Sequence, residues 1–286
     1  MGAPGCFAVP LCPEAFRGFS LSLNQPTLIQ IESVSKQYGS AHDGVLALDD
    51  VTLDVRAGEF LSIIGPSGCG KSTLLKMIGD LLAPNNGQIH IDQKSPADSR
   101  RARECGIVFQ SPTLMEWRTI TRNIELPLEI AGVPRREREA RARELLDLIR
   151  LRDFAERYPH ELSAGMQMQV AIARALAPRP AILLLDEPFG ALDELTRERL
   201  GHELLDVWTH TRVTIVFITH SVGEAVRLSD RIAVMSARPG RIENIIEIDL
   251  PRPRTTEIRD LPRYWDLLRQ VRVALHLSGN GNGKVA

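Results

Sequence analysis

The chain alternates between short apolar runs and longer amphipathic segments over most of its length. Runs with the character of strands occur in TLIQIESVSKQYG, VLALDDVTLDVRAGEFLSIIG, GIVFQ, AILLLD and VTIVFITH. The last two are almost wholly apolar, which is typical of parallel strands buried on both faces of a sheet. Leucines at helical spacing in STLLKMIG and REREARARELLDLIRL predict amphipathic helices. This order of elements predicts an α/β fold with a parallel core.

Breaks in this alternation divide the chain into regions. Residues 1–26 are predicted to be a flexible N-terminal extension, and residues 27–250 are assigned to one main domain. Within that domain a helical part is predicted at about residues 111–178, and RIAVMSARPGRI is predicted to form a late hairpin. Residues 251–286 are predicted to be a C-terminal extension with a helix and a flexible tail, SGNGNGKVA.

Composition mainly excludes classes of function. The 286 residues are 43% hydrophobic and 25% charged, and the net charge is -1. That balance gives no overall attraction to nucleic acid or to an acidic membrane surface. No apolar stretch approaches the ~18 residues that a spanning helix needs, and the N-terminus lacks the early positive charge of a signal peptide. The four cysteines contain no CxxC pair, so we expect no metal site formed by cysteines and we expect reduced thiols in the cytosol.

A glycine-rich loop stands between a predicted strand and a predicted helix. Residues 65–72, GPSGCGKS, fit the pattern GxxxxGK(S/T), with FLSIIG before them and STLLKMIG after. This context favours a phosphate-binding loop over a glycine-rich turn that binds nothing. The glycines let backbone amides converge on phosphate oxygens, and the helix N-terminus adds partial positive charge. We expect Lys71 to bridge the β- and γ-phosphates and Ser72 to bind Mg²⁺.

Two adjacent carboxylates follow the apolar run AILLL. Burying unpaired carboxylates is costly, so Asp186 and Glu187 require a cationic or metal partner. The phosphate loop provides one, because ligands of open α/β sheets bind at the carboxyl ends of the strands. We expect Asp186 to hold Mg²⁺ and Glu187 to orient or deprotonate the attacking water. The alternative is an aspartate that only caps the turn after its strand.

Together with further motifs, these residues give the chain a family resemblance. Over residues 28–250 it resembles the nucleotide-binding subunit of ATP-binding cassette (ABC) transporters. The resemblance also rests on HELSAGMQMQVAIARAL (160–176), similar to the family's signature segment, and on GALD (190–193), FITHS (217–221), Gln110 and Tyr38. It implies a phosphate-loop NTPase with a parallel-sheet core, an antiparallel β subdomain and a helical signature subdomain. It also implies an ATPase that uses ATP and Mg²⁺.

The resemblance implies a role for each matching residue. The residues that take part in hydrolysis would be Glu187, His220, Lys71 and Gln110, and those that hold Mg²⁺ would be Ser72, Gln110 and Asp186. The nucleotide would be bound by Tyr38, Gly65, Pro66, Ser67, Gly68, Cys69, Gly70, Lys71, Ser72, Thr73, Gln110, Ser163, Gly165 and Asp193. Two subunits would associate as a head-to-tail homodimer around two ATP molecules. Each nucleotide would lie on one subunit's phosphate loop and against the other's signature helix, which Ser163 is expected to cap.

The resemblance also implies a cellular setting. The protein would lie at the cytoplasmic face of the inner (plasma) membrane, bound to permease subunits and served indirectly by a solute-binding protein, with no nucleic-acid partner. The segments EWRTITRNIELPLEIAGV, PFGALDELTRERL and MSARPGRI most resemble the nitrate, sulfonate and taurine import ATPases. Met115, Glu116 and Trp117 follow Gln110, and they form either a permease contact or, for the tryptophan, a core or packing position. Trp208 is likewise expected to be a core or packing residue and not a ligand contact. The solute itself is not encoded in such a chain.

Two positions depart from the family's pattern. Ala164 replaces a glycine and Gln169 stands where a basic residue is expected, whereas Ser163 and Gly165 are kept. We expect activity to survive at a lowered level, because the methyl group of Ala164 restricts close backbone approach to a phosphate. In the loop, Cys69 is expected to be a small filler whose thiolate is favoured by the helix N-terminus and a neighbouring lysine. Alkylation of that thiol would then block ATP binding, and ATP would protect it.

Three other interpretations fit parts of the sequence. A soluble ABC ATPase of DNA repair or translation usually carries a long coiled coil or two cassettes, and the sequence has neither pattern. A phosphate-loop kinase would leave LSAGMQMQ and His220 unexplained. A non-hydrolysing regulatory cassette is suggested by Ala164 but opposed by the intact residues Lys71, Asp186, Glu187 and His220. RREREARAREL resembles a basic patch, but its acids balance the charge, which favours a solvated helix face.

Overall fold

The computed structural model describes residues 25–39 and 43–279. The strands in these ranges are β1 Thr27–Tyr38, β2 Val45–Arg56, β3 Phe60–Ile64, β4 Asn86–Ile91, β5 Cys105–Val108, β6 Ile182–Asp186, β7 Thr214–Ile218, β8 Arg231–Met235 and β9 Ile242–Glu247. The helices are α1 Lys71–Ile78, α2 Pro96–Arg101, α3 Ile120–Ile130, α4 Arg135–Leu148, α5 Ala164–Leu176, α6 Glu194–Thr211, α7 Val222–Leu228 and α8 Pro262–Gly279. The predicted N-terminal extension, except residues 25 and 26, and the end of the predicted C-terminal tail lie outside the described residues.

A six-stranded sheet in the order β5-β6-β7-β3-β8-β9 forms the centre of the protein. Its first five strands are parallel, and β9 pairs antiparallel with β8 as the predicted hairpin. Leu185 of β6 pairs with Val108 on one side and with Phe217 on the other. The carboxyl ends of β5, β6, β7 and β3 therefore lie side by side, where ligands of such sheets bind. The predicted α/β fold with a parallel core is confirmed.

A second sheet is antiparallel and has the order β2-β1-β4. Its apolar side chains, among them Ile29 and Leu53, share a core with Ile63 of β3 and Leu75 of α1. Alternation along β1 and β2 puts these residues on one face and leaves polar residues on the other. Helix α1 is thus buried between the two sheets, which fixes the position of the loop that precedes it.

The stretch predicted to be mostly helical contains α3, α4 and α5. Ser163 caps α5 as predicted, because its Oγ accepts a hydrogen bond from Met166 N at 3.3 Å. The helix ends at Leu176, before Pro178 and Pro180, which cannot continue it. On α4 most charged residues are exposed, in agreement with the predicted solvated face, and Arg135 pairs with Glu139 within the helix. Arg141 is an exception, because it is largely buried and pairs with Glu144.

Among residues 25–39 and 43–279, buried apolar residues form three clusters around the central sheet. One joins the sheet to α3–α6, a second joins it to the antiparallel sheet, and a third joins β8 and β9 to α7 and α8. Trp208 is 1% exposed and belongs to the first cluster, as predicted. Trp117 is 75% exposed, so the interpretation of Trp117 as a core residue is wrong. Of the helices described, none combines the length and the apolar character that crossing a membrane requires.

Candidate nucleotide site

The phosphate loop connects the carboxyl end of β3 to α1. All residues of β3 are buried, so the strand holds the start of the loop in place. Gly68 and Gly70 have φ angles of 74° and 102°, in the left-handed region that residues with a Cβ rarely adopt. A Cβ on Gly70 would lie 2.5 Å from Leu48 Cδ2 and 2.9 Å from Ala47 O. Glycine is therefore required there both for the backbone conformation and for close packing on β2.

Lys71 is the first residue of α1, and 6% of its surface is exposed. Its Nζ donates hydrogen bonds to the carbonyl oxygens of Gly65 and Pro66 at 2.9 and 3.0 Å. An ammonium group has three donors, and the third is directed at Cys69 Sγ, 3.9 Å away. The cation is thus held against the backbone and side chain of the loop itself.

Ser72 and Asp186 meet, although 114 positions separate them in the sequence. Ser72 Oγ donates a hydrogen bond to Asp186 Oδ1 at 2.8 Å. Burial raises the pKa of the Asp186 carboxyl, the Ser72 hydrogen bond acts in the opposite direction, and the charge of Glu187 raises it further. The positive charges around this carboxylate do not offset its burial, so a bound cation would stabilise its charged form. A serine hydroxyl and a carboxylate form an oxygen donor set of the kind that Mg²⁺ prefers. The pair therefore fits the predicted metal site.

Glu187 lies between β6 and β7. Its φ angle is 47°, a strained value for a residue with a side chain. Its amide donates to Ile218 O at 3.0 Å, and its Oε2 lies 3.3 Å from His220 Nδ1. The two side chains are 27% and 54% exposed, so water reaches both of them. A carboxylate and an imidazole held together at this position are suited to orient or deprotonate a water molecule.

Gln110 approaches the same carboxylate from the end of β5. A Cβ built on Gly190 would lie 3.5 Å from Gln110 Nε2 and 3.7 Å from Glu187 Oε2. The amide and the carboxylate therefore border the same backbone position. Contacts at the carboxyl edge of the sheet thus join Ser72 to Asp186 and Glu187 to His220, and Gln110 borders the same position as Glu187. Lys71 precedes Ser72 at the start of α1, so the predicted residues lie along one edge of the sheet.

Tyr38 is the last residue of β1 and lies beside α1. Its hydroxyl is 3.2 Å from Thr73 Oγ1, so the ring stands next to the first turn of the helix that follows the loop. The residue is 44% exposed, and Lys36 Nζ lies 5.9 Å from the ring centroid. An exposed aromatic face at this position is available for stacking.

The signature segment makes its contacts away from the loop. Ser163 and Ala164 are exposed at the N-terminus of α5, whereas Gly165 is buried. A Cβ on Gly165 would lie 2.9 Å from Thr196 Cγ2 and 3.4 Å from Leu200 Cδ1, so this glycine allows α5 to pack on α6. Thirteen residues of helix span about 20 Å, which separates the exposed N-terminus of α5 from its C-terminal end.

Asp193 caps α6, where its Oδ1 accepts a hydrogen bond from Thr196 N at 3.0 Å. The Thr196 side chain and this backbone hydrogen bond lower the pKa of the Asp193 carboxyl. Within one chain these contacts of Ser163, Gly165 and Asp193 are thus to α5 and α6. The geometry of a single chain does not bring Ser163, Gly165 or Asp193 to the phosphate loop.

A family model described as ABC transporter matches residues 48–190. The chain belongs to the ABC transporter family. An ABC transporter ATP-binding protein of Methanocaldococcus jannaschii is 47% identical over 79% of this chain and 84% of its own length. A taurine import ATP-binding protein of Rhizobium johnstonii is 44% identical over 81% and 90%. An aliphatic sulfonates import ATP-binding protein of Bacillus cereus is 41% identical over 79% and 88%.

A solved structure extends the likeness to the fold and the chemistry. A dimeric ATP-binding cassette in a post-hydrolysis state, bound to ADP and Pi, superposes with a TM-score of 0.68 and 36% sequence identity. The match covers 77% of this chain and 99% of the chain in the solved structure. This cassette is therefore an ATPase of the ABC type, and two of its relatives carry names from the predicted import group.

The prediction of a favoured thiolate at Cys69 of the cassette is wrong. Cys69 is 0% exposed and packs in the core between the two sheets. Burial raises the pKa of its thiol, although Lys71 and the backbone act in the opposite direction. A Cβ on Gly240 would overlap Cys69 O, so the turn after β8 covers the cysteine closely. Desolvation outweighs the helix N-terminus at this position.

Two arginines of the cassette were missed in the sequence, one that contacts the phosphate loop and one that contacts the segment after Gln110. Arg238 donates from Nε and Nη2 to Gly68 O at 3.3 and 3.2 Å, and so holds the outside of the phosphate loop. Arg174 of α5 donates from Nη2 to Pro112 O and from Nη1 to Thr113 O, both at 2.9 Å. Arg174 lies in the quoted signature segment and Arg238 in SARPGR, but neither position carries a local signal of its distant partner.

Gln169, the second departure in the signature segment, is buried. Its Nε2 donates to Glu203 Oε2 at 2.6 Å and to Ile149 O at 3.2 Å. Its Oε1 is buried without a hydrogen-bond partner among the described residues. The Gln169 amide therefore links α5 to α6 without the charge of a basic residue. The energetic cost of its unpaired Oε1 affects the packing inside one chain and not the phosphate loop.

Proposed function

We propose that this cassette hydrolyses ATP as a head-to-tail homodimer and so drives solute import through membrane permease subunits. The observation that carries the proposal is the chain of contacts from Ser72 to Asp186 and from Glu187 to His220 at one edge of the sheet. The domain limits proposed with it are residues 27–250 for the ATPase domain, with a helical subdomain at about 111–178, and a C-terminal extension from residue 251.

In this proposal each residue at the carboxyl edge of the central sheet has one role in ATP binding or hydrolysis. The loop amides and Lys71 bind the phosphates, and Lys71 exchanges its loop carbonyl partners for phosphate oxygens. Ser72, Asp186 and Gln110 hold Mg²⁺, which neutralises phosphate charge when it is bound. Glu187 orients or deprotonates the attacking water, and His220 holds the Glu187 carboxylate and the γ-phosphate in register. Tyr38 stacks on adenine.

The position of the signature residues supports the proposed homodimer. Ser163 and Ala164 are exposed at a helix N-terminus, which is a favourable site for a phosphate of a second subunit. Asp193 stands at the exposed start of α6 and would face the same junction. The superposed ABC cassette is itself dimeric, which supports this arrangement.

The import role is supported by the relatives named for taurine and for aliphatic sulfonates. We place the permease contact at Met115, Glu116 and Trp117, because Trp117 is 75% exposed and the segment follows Gln110. The solute is proposed to be a small anion of the nitrate, sulfonate or taurine group, delivered to the permease by a solute-binding protein. The protein would then act at the cytoplasmic face of the membrane as a peripheral subunit.

The experiment combines gel filtration with phosphate release. Glu187→Gln should form a dimer in Mg-ATP and remain a monomer without nucleotide, because binding is kept while hydrolysis stops. Wild-type protein should release phosphate, and Lys71→Ala should neither bind nor hydrolyse ATP. Equal turnover by wild type and Glu187→Gln would refute the role of Glu187. Hydrolysis by the wild type, with both proteins monomeric in Mg-ATP, would refute the dimer.

A further inference from the structure

A cavity of about 290 Å³ lies between α6, α7 and the C-terminal segment, outside the nucleotide site. Its wall includes Arg227 of α7, Arg259, and Tyr264, Trp265 and Arg272 of α8. Cationic, hydroxyl and apolar groups are thus combined around one space. The cavity is large enough for a small organic molecule and too small for a nucleotide together with its metal ion.

Arg227 is the unusual member of this wall. The residue is 3% exposed, and its Nη1 is buried without a hydrogen-bond partner among the described residues. A Cβ on Gly201 would lie 2.5 Å from Arg227 Nη2, so the guanidinium is packed against α6 and cannot move away on that side. A buried guanidinium nitrogen without an acceptor is costly, and an anion is the partner that would offset the cost.

The acids that line the cavity are already engaged by other groups. Glu198 pairs with Arg259, and Glu194 lies 3.1 Å from Arg197. Glu224 accepts a hydrogen bond from the Thr219 hydroxyl and lies 3.4 Å from the same Arg197. Four arginines against three glutamates leave the wall with one positive charge in excess, and these ion pairs include neither Arg227 nor Arg272.

We propose that this cavity binds a small molecule with a tetrahedral oxyanion head, a sulfonate or a phosphate, through Arg227 and Arg272. The Tyr264 hydroxyl stands within reach of the same space, since it lies 3.8 Å from the position of a Cβ on Gly223. Trp265 and Leu268 provide an apolar wall for an organic substituent on the head group. Guanidinium groups match the oxygens of such heads with charge-assisted hydrogen bonds.

Two features are consistent with an anion as the occupant. Burial and the charge of Arg259 lower the pKa of Arg227, the charges of Glu198 and Glu224 act in the opposite direction, and a bound anion would act together with these glutamates. Ser221, which also lines the cavity, follows His220 directly, so an occupied cavity adjoins the segment that carries the histidine. The binding site does not depend on the proposed import function, because it is formed by one chain.

The test is a thermal-shift titration of the full chain at saturating Mg-ADP, so that the phosphate loop is already occupied. The probes are ethanesulfonate and inorganic phosphate, each compared with sodium chloride at equal ionic strength. The unfolding temperature of the wild type should rise with the oxyanion beyond the effect of chloride. A larger effect of ethanesulfonate identifies an organic sulfonate as the source. A larger effect of phosphate identifies inorganic phosphate as the cavity ligand only where the cavity variants below reduce it, because phosphate bound beside ADP, as in the superposed cassette, would stabilise those variants equally.

Variants separate the cavity from general salt effects. Arg227→Leu and Arg272→Ala should each weaken the apparent affinity about tenfold, the value of one charge-assisted contact. The matched control is Arg269→Ala, an exposed arginine of α8 that does not line the cavity, and it should bind like the wild type. Arg272 is exposed, so its variant tests the site even if Arg227→Leu unfolds. Equal shifts in all three variants, or no shift beyond chloride in the wild type, would overturn the proposal.

Discussion

Arg174 holds Thr113 in place from a different element of the fold. Its Nη1 donates to Thr113 O at 2.9 Å and its Nη2 to Thr113 Oγ1 at 3.2 Å. Thr113 has a φ angle of 48°, so the arginine fixes a strained backbone three residues after Gln110. Because Arg174 and the Ser163 cap belong to the same helix, α5 joins the signature segment rigidly to the segment that follows Gln110.

Arg174→Lys should lower kcat about tenfold and leave the KM for ATP within about twofold, since lysine keeps the charge but loses the planar fork that reaches both carbonyl oxygens. Arg174 is proposed as a positioning residue, so the split between kcat and KM is the informative measurement. Arg143→Lys, on the exposed face of α4, is the control. A raised KM with unchanged kcat would contradict this role.

His220→Ala should slow phosphate release with a smaller effect on ATP binding. His220 Nδ1 lies 3.3 Å from Glu187 Oε2, so its loss leaves the carboxylate without the group that orients it. A loss of about 10²-fold in rate is the size expected for a group that assists proton transfer. His210→Ala on the exposed end of α6 should behave like the wild type. A rate unchanged by His220→Ala would remove the histidine from the site.

Asp186→Asn should raise the unfolding temperature of the nucleotide-free protein at pH 7 and abolish stabilisation by Mg-ATP. Burial raises the folded-state pKa of Asp186 above its ordinary value, so the folded state retains this proton to higher pH than the unfolded state. The contribution of Asp186 to the free energy of unfolding therefore falls as the pH rises from its unfolded-state pKa to its raised folded-state pKa, and it stays unfavourable above that range. Asparagine has no charge to desolvate and can still accept from Ser72.

The measurement for Asp186 is thermal unfolding between pH 4 and 7, with and without Mg-ATP. The unfolding temperature of the wild type should include a contribution from Asp186 that declines with rising pH, and Asp186→Asn should lack this contribution. Asp153→Asn, at an exposed position, is the control and should keep the pH profile of the wild type. An Asp186→Asn variant less stable than the wild type at pH 7 without nucleotide would show that Asp186 is not penalised by burial.

Cys69 should react slowly with thiol reagents in the folded protein. Burial raises the pKa of its thiol, and burial raises the pKa of Cys105 to about 12. In a Cys6→Ser, Cys12→Ser background, a thiol titration should detect almost no reactive groups until denaturant is added. Rapid labelling of Cys69 that ATP prevents would restore the interpretation drawn from the sequence alone.

Gly165→Ala should destabilise the protein by about 1–3 kcal/mol, because its methyl group would lie 2.9 Å from Thr196 Cγ2 between α5 and α6. Ala164→Gly, one position earlier and exposed, is the matched change and should alter stability by less than about 1 kcal/mol. Chemical denaturation measures both. If Ala164→Gly also raised turnover by hundreds-fold, the expectation of only a moderately lowered activity would be wrong.

The sequence by itself determined the local parts of the site. The strand, glycine-rich loop and helix around Lys71 are contiguous, and their backbone requirements are written in glycine positions and apolar periodicity. The cap of Ser163 on α5 is also local, because it needs only an N-terminal position and an amide three residues on. The parallel core followed from the apolar runs, since strands buried on both faces leave little room for polar residues.

Only the tertiary structure decided which residues are buried and which distant groups meet. The Ser72–Asp186 hydrogen bond spans 114 positions and the Arg174–Thr113 bond spans 61, and no periodic pattern encodes either pairing. Cys69 has a local environment that favours a thiolate, but the turn at Gly240 buries it and desolvation prevails. Trp117 and Trp208 are the same residue type and received the same interpretation from the sequence, but the first is exposed and the second is buried. Burial is a property of the packed fold and not of the residue type.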